Sequence, residues 1–147
     1  MAINTQKLVI GGLAAGVVLN LIDYAAYGVI LADRMKADSN AFKAGLGDQM
    51  AAMDGGTLAR YVIMDFVVGF LVVWAYVAMR PRFGAGARTA VYAGLMLWIF
   101  GLITTSGYME MGLMSPGLWW TFSFIWLVNL VLAALAGGMV YKEDSTA

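Results

Sequence analysis

Two aspartates stand inside long apolar stretches, and they are the residues of this chain best placed to do chemistry. Asp23 falls in a run from Leu8 to Ala32 that is otherwise interrupted only by Asn20, and Asp65 lies near the start of a second run. An ionisable group in hydrocarbon costs roughly 3 kcal/mol or more unless it faces water or a partner, so such residues are the first functional candidates. At 100° per residue, Gly12, Gly16, Asn20, Asp23 and Tyr27 fall within about 80° on one helix face, and Asp65, Gly69, Tyr76 and Arg80 within about 60° on another. Gly94, Gly101, Thr105, Tyr108 and Gly112 form a third strip, and Asn129 shares a face with Phe122, Ala133 and Ala136. The candidate intramembrane polar site is therefore Asn20, Asp23, Asp65, Thr105, Tyr108 and Asn129. Its chemistry would be the binding of a cation or a proton. The structural alternative is interhelical hydrogen bonding, Asp23 to a Tyr or Asn and Asp65 to Thr105 or Tyr108.

Weaker signals follow. Met109, Met111 and Met114 surround Glu110, and closely spaced thioethers are what a Cu(I) site needs; methionine also fills irregular gaps, and the chain has 11. Trp119, Trp120 and Trp126 read mainly as interfacial anchors, with room for some to line a site for a lipid, quinone or pigment tail. The chain has neither Cys nor His. Thiol exchange, thiolate zinc sites, iron–sulfur clusters and histidine-ligated haem are thereby excluded, and the commonest neutral-pH base is missing. Ser106 and Ser123 lack a neighbouring base, and the Gly-x-Gly-Asp element of intramembrane aspartyl proteases does not occur. The expectation is a non-enzyme without a cofactor.

The elements that must position these residues are helices in lipid. Of 147 residues, 62% are hydrophobic and 12% charged, a balance no soluble domain of this size could bury. A span needs about 20 apolar residues, and only helices or closed barrels satisfy the backbone in hydrocarbon. Four runs qualify, at about 8–32, 61–79, 89–111 and 118–141. Ser115 and Pro116 suit the cap and first position of the fourth, and Pro81 is expected to stop the second. The apolar pattern continues past Asp23 to Leu31, so the first run reads as a retained span and not a cleaved signal. The fold class is an all-α membrane protein, a four-transmembrane-helix bundle.

Between the first and second spans, Phe42, Leu46, Met50 and Met53 make one helical stripe. They predict a short amphipathic interfacial helix over about 39–54, capped by Ser39, ended by Gly55-Gly56 and lying on the membrane surface or over an outward cavity. Lys7, Arg80, Arg82, Arg88 and Lys142 fall on one side of the membrane, against Arg34, Lys36, Lys43 and Arg60 in a longer, aspartate-containing segment on the other. That distribution predicts both termini in the cytoplasm. The formal charge is zero, and a nucleic-acid partner is not expected.

The stretch from Tyr76 through Met-Arg-Pro-Arg-Phe-Gly-Ala-Gly-Ala-Arg to Val91, with Gly12-Leu-Ala-Ala-Gly near the start, resembles a group of uncharacterised small bacterial four-span integral membrane proteins. The resemblance implies a multi-pass protein of the bacterial inner membrane, and no reaction. Helix-packing glycines at Gly12, Gly16, Gly69, Gly94 and Gly101 favour close backbone contacts within or between chains. The leading expectation is a non-enzymatic protein acting by helix packing, as a homo-oligomer or an accessory subunit of a larger membrane complex. The alternative is a small cation- or proton-coupled transporter or channel using the intramembrane carboxylates.

Overall fold

The computed structural model describes residues 3–141, and Lys142, part of the charge argument, lies outside them. The described residues are predominantly helical, with no strand among them. Helix α1 (Thr5–Asp23) opens at Asn4, whose Oδ1 accepts from the Lys7 amide at 3.0 Å. It runs on without a break as a π-helical segment, Tyr24–Ile30, closed by a bond from Leu31 N to Ala26 O at 2.8 Å. Two connector helices follow, α2 (Ala32–Phe42) and α3 (Leu46–Ala51), then α4 (Gly55–Phe83), α5 (Ala87–Glu110) and α6 (Pro116–Val140).

Four of these helical runs are long and apolar enough to cross a membrane: Thr5–Ile30, α4, α5 and α6. In the most apolar window of each, a third or less of the residues is buried inside the protein. The remainder, including Leu13, Ile63, Phe100 and Phe124, faces outward, and only lipid can solvate so much apolar surface. The chain is a multi-pass helical membrane protein.

The bundle is up-down-up-down. α1 packs on α4 and α6, α5 packs on α6 and α4, and α1 and α5 stand diagonally opposed. The close approaches are made by glycine. A methyl group on Gly12 would lie 3.1 Å from Phe70 Cα, and one on Gly69 would lie 2.5 Å from Gly16 N. One on Gly94 would meet Leu130 O at 2.9 Å, and one on Gly101 would run into the Trp126 indole. Gly11 and Gly137, whose role the sequence did not suggest, bring α1 and α6 together in the same way. All five predicted packing glycines are thus occupied inside this one chain, and they no longer argue for contacts between chains.

Three local expectations change. The connector is not one helix over 39–54. Gly45, at φ 81°, splits it into α2 and α3, and Ser39 lies within α2 instead of capping a helix. Gly55 and Gly56 begin α4 instead of ending the connector, because Asp54 caps that helix by accepting from Thr57 N at 2.7 Å. Pro81 does not stop α4. It sits in the last turn, where a proline removes a single i→i−4 bond, and the helix continues to Phe83 until Gly84, at φ 82°, turns the chain.

Candidate functional site

Asp23 is the last residue of α1, where the helix widens into its π segment. The glycine contact between α1 and α4 brings the two backbones close enough for short side chains to meet one turn further on. Asn20 Nδ2 donates to Gly16 O at 2.9 Å and reaches Val62 O of α4 at 3.4 Å, fixing the register of that pair of helices. Asp65 lies one turn beyond Val62, and its carboxyl group comes within hydrogen-bonding range of the Asp23 carboxyl. From α6, Asn129 Nδ2 donates to Asp23 Oδ1 at 2.6 Å. Asn129 is 0% exposed, and its Oδ1 has no hydrogen-bond partner. Three helices therefore converge on Asp23, and of the two aspartates it is the more enclosed.

The chemistry follows from the acceptor count. Two ionised carboxylates have only acceptors to offer each other, so a proton or a cation between groups in this range would relieve their repulsion. Three of the predicted residues, Asp23, Asp65 and Asn129, meet here, and Asn20 braces the α1–α4 contact one turn away.

The other two, Thr105 and Tyr108, stand apart from Asp65. They belong to the wall of a cavity of about 280 Å³ that opens beside Asp23 between α1, α5 and α6. Thr105 Oγ1 donates to Gly101 O at 2.8 Å, and Trp119 Nε1 donates to Thr105 O at 3.1 Å, so the threonine holds an indole in place. Tyr27, on the π segment, meets Phe122 edge to face with ring centroids 5.1 Å apart. Trp126 and Ser123 complete the α6 side, and the Ser123 hydroxyl is buried without a partner. No Lys or Arg lines this cavity.

From the sequence, Trp119 and Trp126 read mainly as anchors and Ser123 only as a serine without a neighbouring base. The signal that finds them is spacing: Trp119, Phe122, Ser123 and Trp126 recur at i, i+3, i+4 and i+7, one face of α6. Trp120, 58% exposed, is on another face.

The methionine candidates are not gathered. Met109 and Met114 border a hollow beside Asp38, whereas Met111 is 74% exposed and does not line it. Among the described residues there is no group of three or more carboxylates, His or Cys able to hold a metal ion.

The connector closes one end of the bundle. Asp38 Oδ2 accepts from Ser115 N at 3.0 Å and Arg34 Nη1 donates to Thr121 Oγ1 at 3.4 Å, which ties α2 to the start of α6. Lys36 and Asp48 form an ion pair at 2.8 Å between α2 and α3. That hydrogen bond and charge hold the Asp48 carboxyl below its usual range and the Lys36 amine above its own. The capping bonds from Thr57 hold Asp54 low.

No protein-family profile, curated protein or solved structure matches this chain.

Proposed function

We propose that the chain is a small membrane carrier or channel component that binds a proton or small cation at Asp23 and Asp65. The observation that carries this reading is the meeting of two carboxyl groups from α1 and α4 under a buried asparagine, inside membrane-spanning helices. Such an arrangement is costly as mere glue, since a hydroxyl or amide would join the helices without a carboxylate to neutralise. The π segment adds support. Wide helical turns are rare and recur at functional sites, and this one adjoins Asp23. Placement in the bacterial inner membrane with both termini cytoplasmic is part of the proposal. It is supported by Arg80, Arg82 and Arg88 around the short turn between α4 and α5.

The test is flux in liposomes. Wild-type protein should dissipate an imposed proton or alkali-cation gradient, and Asp23→Asn or Asp65→Asn should return it to the protein-free rate while remaining folded and inserted. Unchanged flux in both variants overturns the reading.

A second reading, assembly with another copy or a larger membrane complex, now rests on α5. Its most apolar window is 22% buried against 33% for the other three spans, and Phe100 and Ile103 stand out from it. A monomer in lipid nanodiscs at all concentrations would end that reading.

A further inference from the structure

The cavity beside Asp23 has more structure than a proton site requires. A proton needs a carboxylate and a water path, whereas this hollow of about 280 Å³ is walled by Tyr27, Tyr108, Trp119, Phe122 and Trp126. Its volume sits at the lower edge of the range for small-molecule sites, about 300–1,000 Å³. Two buried side-chain oxygens of α6 in this region have no hydrogen-bond partner. The buried Ser123 hydroxyl is bonded to nothing, and Asn129, which grips Asp23, has an unpaired carbonyl oxygen.

The identity of the guest follows from charge and surface. Asp23 is the one acid lining the cavity, and no basic side chain lines it to balance that carboxylate. The Asp65 carboxyl meets Asp23 from the α4 side, Asn129 meets it from α6, and the titratable groups sharing the cavity are Tyr27 and Tyr108. Aromatic faces attract cations through the ring quadrupole, most strongly where water is excluded, and aromatic walls with a carboxylate at one end suit a quaternary or aryl ammonium.

Resting on the reading of Asp23 and Asp65 given above, the geometry points to a compact organic cation as the ligand of this cavity, its ammonium centre on Asp23 and its apolar body against the α6 aromatic face. Asp65 lines no part of the cavity and keeps its place behind Asp23, and the arriving guest displaces to water the proton that the two carboxyl groups share.

The experiment titrates phenyltrimethylammonium into full-length protein in nanodiscs of neutral lipid, reading tryptophan fluorescence. The uncharged isostere tert-butylbenzene and protein-free discs serve as references. The cation is expected to saturate and to bind at least tenfold more tightly than the isostere. Asp23→Asn should abolish that preference while leaving binding of the isostere intact, and this retained binding reports a folded cavity. Tyr108→Leu, at a half-exposed wall position, should weaken the cation severalfold. Equal binding of cation and isostere by the wild type overturns the inference, and so does an undiminished preference in Asp23→Asn. Proton release on ammonium binding, followed with a dye in weak buffer, separates this inference from the function it rests on. Saturable ammonium binding without release in the wild type keeps the cavity and sinks the coupled carboxyl pair. Gradient dissipation that needs Asp23 and Asp65, with no ammonium binding, keeps the pair and sinks the cavity.

Discussion

The two ends of the bundle contain similar ingredients, charged groups and aromatic rings at the margins of apolar helices, and use them in opposite ways. At the end where α1 begins and α6 finishes, the side chains secure the chain. Arg80 lies over the rings of Tyr76 and Tyr141 at 5.8 and 5.2 Å. Tyr141 Oη accepts from Asn4 N at 3.2 Å, and Tyr76 Oη accepts from Gly86 N at 3.2 Å. Thr89 Oγ1 donates to Gly84 O at 2.7 Å across the tight turn. At the connector end, the rings instead surround empty volume, the acids face each other, and two buried oxygens stay open. A charge stacked between rings serves stability, whereas a charge beside a cavity of rings would, on the function proposed above, serve a ligand.

The largest expected effect breaks the comparison in half. Asp23→Asn should remove gradient dissipation, a loss of about 100-fold or more, with little change in unfolding by detergent. Arg80→Leu should do the reverse, leaving flux near wild type and lowering stability by about 1–2 kcal/mol through the two lost cation–π contacts. Paired flux and denaturation curves check both, and equal loss of flux in the two variants would erase the distinction between the ends.

Asn129→Leu sharpens it. The change removes the bond to Asp23 and also an oxygen that is buried without a partner, so flux should fall at least tenfold while stability holds or rises by about 1 kcal/mol. A variant that is both inactive and markedly destabilised would show the amide to be structural.

The smallest effect concerns the connector and pH. Asp48 is held low, so its contribution is in place above the usual carboxylate range and disappears as pH falls through its lowered value. Lys36 is held high, so its contribution is in place below the usual lysine range and disappears as pH rises through its raised value. Hydrogen exchange at the Gly47 amide, which donates to Asn40 Oδ1 across α2 and α3, should therefore be protected evenly between about pH 5 and 9 once corrected for intrinsic rates. A protection step near neutrality would contradict this.

The sequence discloses the spans well because lipid leaves no choice: long apolar runs must be helices, and Gly12, Gly16 and Asn20 lie on one face whatever surrounds them. The pairing of Asp23 with Asp65 follows from that face once a glycine crossing is granted. Three features did not follow. A π segment needs only one extra residue per turn, and Tyr24–Ile30 carries no composition that marks it. The connector stripe looked continuous because Phe42 and Leu46 keep helical spacing across a break that Gly45 makes with a positive φ. Aromatic residues near a membrane surface have an ordinary reading as anchors, so Trp119 and Trp126 are legible as cavity walls only after α5 is placed beside them.

The contact of Gly11 with Gly137 has a mechanical corollary. A methyl group on either would stand 2.9 Å from the other's carbonyl oxygen, so at this point α1 and α6 have no slack. Rocking of α1 would turn about that fulcrum, and Asp23 lies twelve residues along the lever, about 18 Å at 1.5 Å per residue. A tilt of about 3° there carries the carboxylate roughly 1 Å, enough to make or part a hydrogen bond, while Thr5 on the short arm moves only about half as far.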